Sequence, residues 1–548
     1  MDILYLSYTI ANLYLSKNLA LQEDEVSQSF LQYRNILAPS VKRRLTEILA
    51  VFLPMFAVIV VWVPFEISAA LNEDEAWLLI CAQRLLDGGR SLTDFYQPNP
   101  PMSTLMYVPD VLLARLTHSP IYYIPHLLGL AAMSLSAWGM LSLLKRFPEL
   151  DDDARAVAFG AYLIASTIGA SFMFFAERDE YVAWGLIPFL LAQILITRAA
   201  AVEKRILWSV LIGGGICILI KPHYLLLPAV AVVHRMVARR RVFSVMRDPD
   251  VIALLCVSSV YAILIAVYFW DDVTKIFPDL VKLYLPVQNP FETAKQGFAG
   301  LILLLLLRLC LRPVNEGVRR IVNYCTIGAM LSGLLFVIQL KGLYYHEIPF
   351  FLFYSCGVGL ALHDRLGRGL RSSKIAAFIT MTLVLDFSLI HAPAFLGYPT
   401  HEDYKKLPLT QLAANLGPNE TFFVVTEGMD VIHQAAIYSG HIHASRFPDL
   451  WFLTGTQFGW RHDGDDVRYA NYVAEDLARY KPSVMAIISG DRYVDVISWL
   501  SARSPAFRNE MKRYVTAGNF VDNRRNYFKG TILDFDHVMT YDLYRRSQ

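Results

Sequence analysis

The stretch "LNEDEAWLLICAQRLLDGGRSLTDFYQPNPP" (71–101) decides how the chain is read. It follows an apolar run, 47–69, of the length that crosses a bilayer. Its first charges are three consecutive carboxylates, Glu73, Asp74 and Glu75. "DEAWLLICAQRLLDGG" then carries apolar residues at helical spacing and ends on Gly88 and Gly89. A surface-lying amphipathic helix is expected there. "QPNPP" makes a proline-stiffened elbow before a second amphipathic segment. The loop runs on to about residue 119, and loops of that length carry function or structure of their own.

The rest of the chain makes this a membrane protein. Its 548 residues are 55% hydrophobic and 18% charged, where soluble proteins carry about 25% charged residues. The mean hydropathy is +0.38. The net charge of +2 says little about partners, and nothing points to nucleic acid. Of the six cysteines, Cys81 follows the opening motif and the others lie in or beside apolar blocks. None has metal-ligand spacing, so they read as small buried hydrophobes.

About eleven spans follow from hydropathy: 47–69, 121–144, 154–175, 181–200, 205–221, 223–238, 250–270, 296–312, 320–340, 344–363 and 374–396. Alternate loops are basic, among them Lys42–Arg44, Lys145–Arg146, Arg239–Arg241 and Arg365–Lys374. The positive-inside rule therefore makes the N-terminus cytoplasmic. Residues 1–45 read as a cytoplasmic extension without a cleavable signal. Residues 46–396 form the membrane part, with 71–119 as its first outer loop. An odd number of crossings puts 397–548 outside. There "TFFVVTEG" (421–428) and "SVMAIISG" (483–490) read as buried strands, and "DVRYANYVAEDLARY" (466–480) as an amphipathic helix. The fold class expected is a polytopic α-helical membrane protein with a small extracytoplasmic α/β domain.

Candidate chemistry gathers at the outer ends of spans. The second outer loop, "FFAERDEYVAW", holds Glu177, Arg178, Asp179 and Glu180 on the side of Glu73–Glu75. Either cluster could be an ordinary solvated loop end. Together they could meet at one membrane depth. Lys221 and His223 lie between spans five and six, and "KGLYYHEIP" brings Lys341, His346 and Glu347 to an outer end. Such a lysine either snorkels or holds an anion such as phosphate. The His346–Glu347 pair could be a metal site, though no second histidine stands at helical spacing.

This ordered set resembles the GT-C superfamily of membrane glycosyltransferases, which includes protein O-mannosyltransferases and aminoarabinose transferases. The residues that carry it are Asp74-Glu75 opening a long first loop, "LLDGG", "DFYQPNPP", "ERDE" and "KGLYYHEIP". The tail stretch "ASRFPDLWFL" (444–453) also looks like tails in bacterial members. The resemblance covers about 47–396. It implies transfer of a sugar from a polyprenyl-phosphate donor to a glycan, lipid or protein acceptor at the outer face of a bacterial inner membrane, in cell-envelope polysaccharide biosynthesis. It implies Asp74 as catalytic base or acceptor-binding carboxylate, with Glu75 beside it and Asp179 as the second-loop acid. Glu177 and Glu180 are the alternatives there for acceptor or metal. Aminoarabinose transferases carry a lysine before the paired prolines. Here Asn99 stands in that place as a donor-binding candidate, and the positive charge for the phosphate would fall to Arg178, Lys221 or Lys341, with His346 a further candidate. No cofactor is implied with certainty, and a divalent cation stays open. The rival readings are a lipid-linked saccharide flippase, which should show internal repeats and mid-span charges, and a non-catalytic assembly subunit.

Overall fold

The computed structural model describes residues 62–169, 175–240, 242–283, 288–366, 399–426, 431–450, 466–489, 495–523 and 538–547. The chain divides into two units, Met1–Phe56 and Ala57–Gln548. All described residues belong to the second. The expected N-terminal extension, most of the first span and the span at 374–396 lie outside them.

The main helices of the first part of the described chain are α1 (Val63–Ser68), α2 (Glu73–Leu86), α3 (Val108–Thr117), α4 (Ile124–Leu144), α5 (Asp152–Ile164), α6 (Arg178–Thr197), α7 (Lys204–Ile220), α8 (Leu226–Arg239), α9 (Pro249–Tyr268), α10 (Pro290–Leu309), α11 (Glu316–Gln339) and α12 (Ile348–Leu366). Apart from α2 and α3, which lie in the 71–119 segment, they fall on the apolar spans of the sequence. Five of them, α4, α6, α9, α10 and α11, are long and apolar enough to cross a membrane. The outward faces of α9 and α10 are greasy, with Ile263, Val267, Leu301 and Leu305 exposed, as lipid-facing surfaces are.

Helix α6 is the centre of the bundle. It packs against α7, α4 and α12, and nearly all of its residues are buried. Small residues let α7 approach closely. A Cβ added at Gly185 would stand 2.3 Å from the Cys217 Cβ, and one at Gly214 would stand 2.7 Å from the Gly185 carbonyl oxygen. Close backbone approach of this kind is how helices associate where apolar burial gives no driving force. At the α6 C-terminal end, buried Arg235 pairs with Asp250, and Gln193 donates to the same carboxylate at 2.7 Å.

The tail holds a four-stranded sheet in the order β1-β2-β4-β3, from β1 (Phe422–Val425), β2 (Val484–Ser489), β3 (Tyr514–Asn523) and β4 (Val538–Arg546). β1 runs parallel to β2, and β4 runs antiparallel to both its neighbours. Strand alternation sends Phe423, Val425, Met485 and Ile487 to one face, against Tyr469, Val473 and Leu477 of α14 (Asp466–Tyr480). Phe422, Val424, Ala486 and Ile488 face the other way, toward Ile432 and Ala435 of α13 (Ile432–Ser439).

Both faces are completed by the 71–119 segment. Leu92 and Tyr96 join the first cluster, and Trp77, Ile80, Cys81 and Phe95 join the second. Helix α2 was expected to lie along the membrane surface. Instead its residues 75–82 are buried, because the tail supplies protein partners for its apolar face. Polar links fix the join. Arg446 donates from Nε to Asp476 at 2.9 Å and from Nη1 to the Leu92 carbonyl at 3.2 Å, while the Tyr96 N–H donates to the Arg446 carbonyl at 2.6 Å. Removing one partner of a buried ion pair strands the other. Arg446→Ala should therefore cost about 3–5 kcal/mol and lower the thermal unfolding midpoint of the purified protein. An unchanged midpoint would show that this join does not stabilise the fold.

Candidate functional site

The site starts with a helix cap. Asn72 accepts the Glu75 backbone N–H at 2.9 Å, and Glu75 Oε2 accepts the Asn72 N–H at 3.1 Å. This capping box fixes the first turn of α2, where three carboxylates also suit the positive end of the helix dipole. Glu75 is thereby turned inward and buried, its Oε1 without a hydrogen-bond partner among the described residues. Burial pushes its carboxyl well above the usual range. The bond from Asn72 opposes this, and nearby Glu177, Glu66 and Asp110 add to it. Asp74, one residue earlier, points elsewhere.

The second acidic segment comes to meet it. Ala176 has a left-handed φ of +64°, a conformation uncommon outside glycine. The turn is pinned at both ends: Glu180 accepts the Ala176 N–H at 3.0 Å, and the buried Tyr107 hydroxyl donates to the Ala176 carbonyl at 3.1 Å. The turn delivers Glu177 and Arg178 to the N-terminus of α6. Arg178 Nη2 then donates to Asp74 Oδ2 at 2.7 Å, across 104 positions of sequence. Its Nε and Nη2 also reach Glu177 Oε1, at 3.2 and 3.0 Å. Nη1 has no partner among the described residues. Side-chain exposure is 27% for Asp74, 3% for Arg178 and 1% for Glu177. Asp74 is thus the open member of a triad whose other members are almost fully buried.

A second group lies one residue along. Asp179 pairs with Lys221, whose Nζ is also 2.8 Å from His346 Nδ1. The same nitrogen is 3.4 Å from Asp179 Oδ2. The Tyr224 hydroxyl donates to the His346 carbonyl at 3.3 Å, and the Tyr345 ring lies 5.2 Å from Lys221 Nζ. Asp179 and Lys221 meet because α6 begins and α7 ends at the same end of the bundle. Asp179 is fully buried, and Lys221 and His346 are nearly so.

The two acidic segments of the sequence do meet, but through Arg178 rather than carboxylate to carboxylate. Two of the residues singled out for a phosphate stand apart. Asn99 folds back on Gln97, its Nδ2 3.1 Å from Oε1. Lys341, half-buried, is no partner of Asp74, Arg178, Asp179 or Lys221, and burial pushes its ammonium down to about 8. Tyr107, Tyr224 and Asp110 were not singled out from sequence. Nothing in "LMYVPDVLL" (105–113) separates Tyr107 from the apolar stripe around it. Glu75 could have been read as a cap, since Asn-x-x-Glu before an apolar run is a helix-start signal. Among the described residues no group of three or more His, Cys, Asp or Glu is arranged to hold a metal ion. Asp74 and Glu177 are turned to Arg178 instead. The arrangement offers an accessible carboxylate held by a guanidinium with free donors, suited to taking a proton beside an anion.

No family model matches the chain, and no curated protein matches it. Solved structures do. Over 90% of this chain and 97% of the other, the structure is similar to that of ArnT from Cupriavidus metallidurans bound to undecaprenyl phosphate, with 14% identical residues and a TM-score of 0.50. The apo oligosaccharyltransferase of Archaeoglobus fulgidus aligns over 89% of this chain and 74% of its own, at 11% identity and a TM-score of 0.38. ArnT from C. metallidurans in the apo state aligns over 82% and 94%, at 13% identity and 0.35. The assignment rests on the first of these, which matches the bundle and the tail together. The chain is an integral membrane protein with the fold of the GT-C membrane glycosyltransferases.

Proposed function

We propose that this protein transfers a sugar from a polyprenyl-phosphate donor to an acceptor hydroxyl at the outer face of the membrane, with Asp74 as general base. The observation that carries this reading is the Asp74–Arg178 contact, which joins the open carboxylate of the first long loop to a buried cation of the second. That the fold is shared with a protein crystallised on undecaprenyl phosphate supports the donor class. In this reading the acceptor oxygen attacks the anomeric carbon while its proton passes to Asp74. The bond from the anomeric carbon to the phosphate oxygen breaks, and its electron pair leaves with the polyprenyl phosphate. Arg178 Nη1, with two N–H donors, holds the departing phosphate. Lys221, fixed by Asp179 and His346, adds positive charge behind it. Glu177 and Asp179 orient the two cations. Glu75 holds the helix that presents Asp74.

The membrane part at 46–396 would present this site outward, with residues 397–548 on a bacterial periplasmic face and the N-terminus in the cytoplasm. Reporter fusions after Arg241 should read cytoplasmic and fusions after Thr410 external. A cytoplasmic tail would put the site on the wrong side for this reaction.

Asp74→Asn keeps size and removes basicity. Transfer from undecaprenyl-phosphate sugars by purified variants should fall about 10²–10⁴-fold with unfolding unchanged. Wild-type turnover in that variant would remove Asp74 as the base. A chelator in the same assay reads whether a divalent cation takes part. Arg178→Gln should weaken retention of undecaprenyl phosphate more than Lys341→Gln does, and equal effects would remove Arg178 from the phosphate site.

Glu177 gives a pH test of the buried triad. Burial, opposed by Arg178, pushes its carboxyl from 4.5 up to about 7. Between those values the folded chain keeps a proton that the unfolded chain has lost. Stability should therefore fall as pH rises from about 4.5 to 7. Glu177→Gln cannot lose that proton, and thermal unfolding across this window should become flatter. An unaltered slope would mean that Glu177 is not the titrating group.

A further inference from the structure

We propose that a cleft between α2 and the tail binds an acidic saccharide. In the reaction proposed above, on which this assignment of role rests, that saccharide is the far portion of the acceptor. The cleft has a volume of about 590 Å³, within the roughly 300–1,000 Å³ of small-molecule sites. One wall is a single face of α2: Ile80, Gln83, Arg84 and Asp87 stand at i, i+3, i+4 and i+7. The other is the 440–443 segment of the tail with Tyr480.

Arg84 carries the argument. Its Nη1 donates to the carbonyls of Asp94 and Ser445 at 2.6 and 2.7 Å, and its Nη2 to that of His443 at 2.7 Å. A guanidinium has five donors. The Nε–H and one Nη2 hydrogen keep no partner among the described residues, and Nε is not a sealed, unsatisfied atom. All three hydrogen-bond partners are neutral carbonyls, and Asp476, the carboxylate within electrostatic reach, is already paired with Arg446. The cleft's two aspartates already have arginines of their own: Asp87 pairs with Arg115 at 2.8 Å and Asp94 with Arg479 at 2.5 Å. A guanidinium locked by three carbonyls is preorganised for a planar carboxylate.

The remaining lining suits a sugar ring. Ile442 is 54% exposed, and the Tyr480 ring, under Arg479 at 5.1 Å, adds a flat face. Apolar faces interleaved with fork-shaped donors match a ring that carries hydroxyls and a carboxylate. They match neither an acyl chain nor a bare inorganic anion. Gln83 lies nine residues beyond Asp74, or about 14 Å along one helix. The cleft is thus a site apart from Asp74, held at a fixed distance from it.

Calorimetry on the full chain in detergent, with trigalacturonate and maltotriose as probes, tests this. Trigalacturonate should bind, and maltotriose should bind about tenfold more weakly or not at all. Arg115→Glu sets a new carboxylate beside Asp87, and Ile442→Trp fills the cleft. Both side chains stand at the surface, so unfolding should not change, while uronate binding should fall about tenfold. Asp74→Asn should bind as the wild type does. The proposal is overturned if the wild type binds no trigalacturonate, if maltotriose binds equally, or if both cleft variants bind normally. Transfer without uronate binding would sink the cleft and spare the reaction. Uronate binding without transfer from any polyprenyl-phosphate sugar would do the reverse.

Discussion

One guanidinium organises the end of this bundle. Arg178 is buried, and burying an unpaired charge costs several kcal/mol. Its charge is answered from two directions: by Glu177, its neighbour in sequence, and by Asp74, 104 positions away. The second contact ties α2 to the start of α6. Because α2 is itself covered by the tail, the same contact connects the bundle to the sheet. Strength of attraction alone does not explain the arrangement, since ion pairs in low-dielectric surroundings often only break even against their desolvation. What the pair supplies is register: one orientation of α2 places a carboxylate against Arg178, and its neighbours on the helix face other partners.

Much of this was legible in the sequence for a simple reason. Span positions follow from runs of apolar residues that only a bilayer or a deep core accommodates, and the helices fall where those runs are. The alternation of basic loops leads us to expect the two acidic segments to meet, and the structure brings them into contact at the start of α6. Their pairing was not legible. "ERDE" offers four charges in four residues, and only the turn at Ala176, with Tyr107 and Glu180 holding it, selects which one points at α2. The burial of α2 was equally hidden. An amphipathic helix beside a membrane reads the same whether lipid or protein covers it, and Trp77, Ile80 and Cys81 carry no mark of the sheet that packs on them. Glu75 shows the opposite case: Asn72-x-x-Glu75 is a local helix-start signal, masked by the run of charges around it.

The division of the chain into a helical bundle and a tail domain does not hold for packing. Leu92, Tyr96 and Phe95 sit in the cores of the tail, and Arg446 closes hydrogen bonds with both partners. The tail is therefore incomplete without the 71–119 segment, whose helix α2 is covered by the tail on one side and by Tyr107 and Val111 on the other. Elements so joined fold and move together, so the position of Asp74 is set by packing in the bundle and in the tail alike.

The glycine contact inside the bundle has a consequence for that end. Gly185 and Gly214 let α6 and α7 lie almost backbone to backbone. Asp179 stands at the start of one helix and Lys221 at the end of the other, roughly one and a half to two turns from that contact. Rigid rods transmit a displacement along their length. A single methyl at position 185 would have to push Cys217 aside, opening the angle between the rods and drawing Lys221 off Asp179. Residues that touch neither charge, and that no search for polar chemistry would single out, thus act as the fulcrum on which the spacing of the buried pair is balanced.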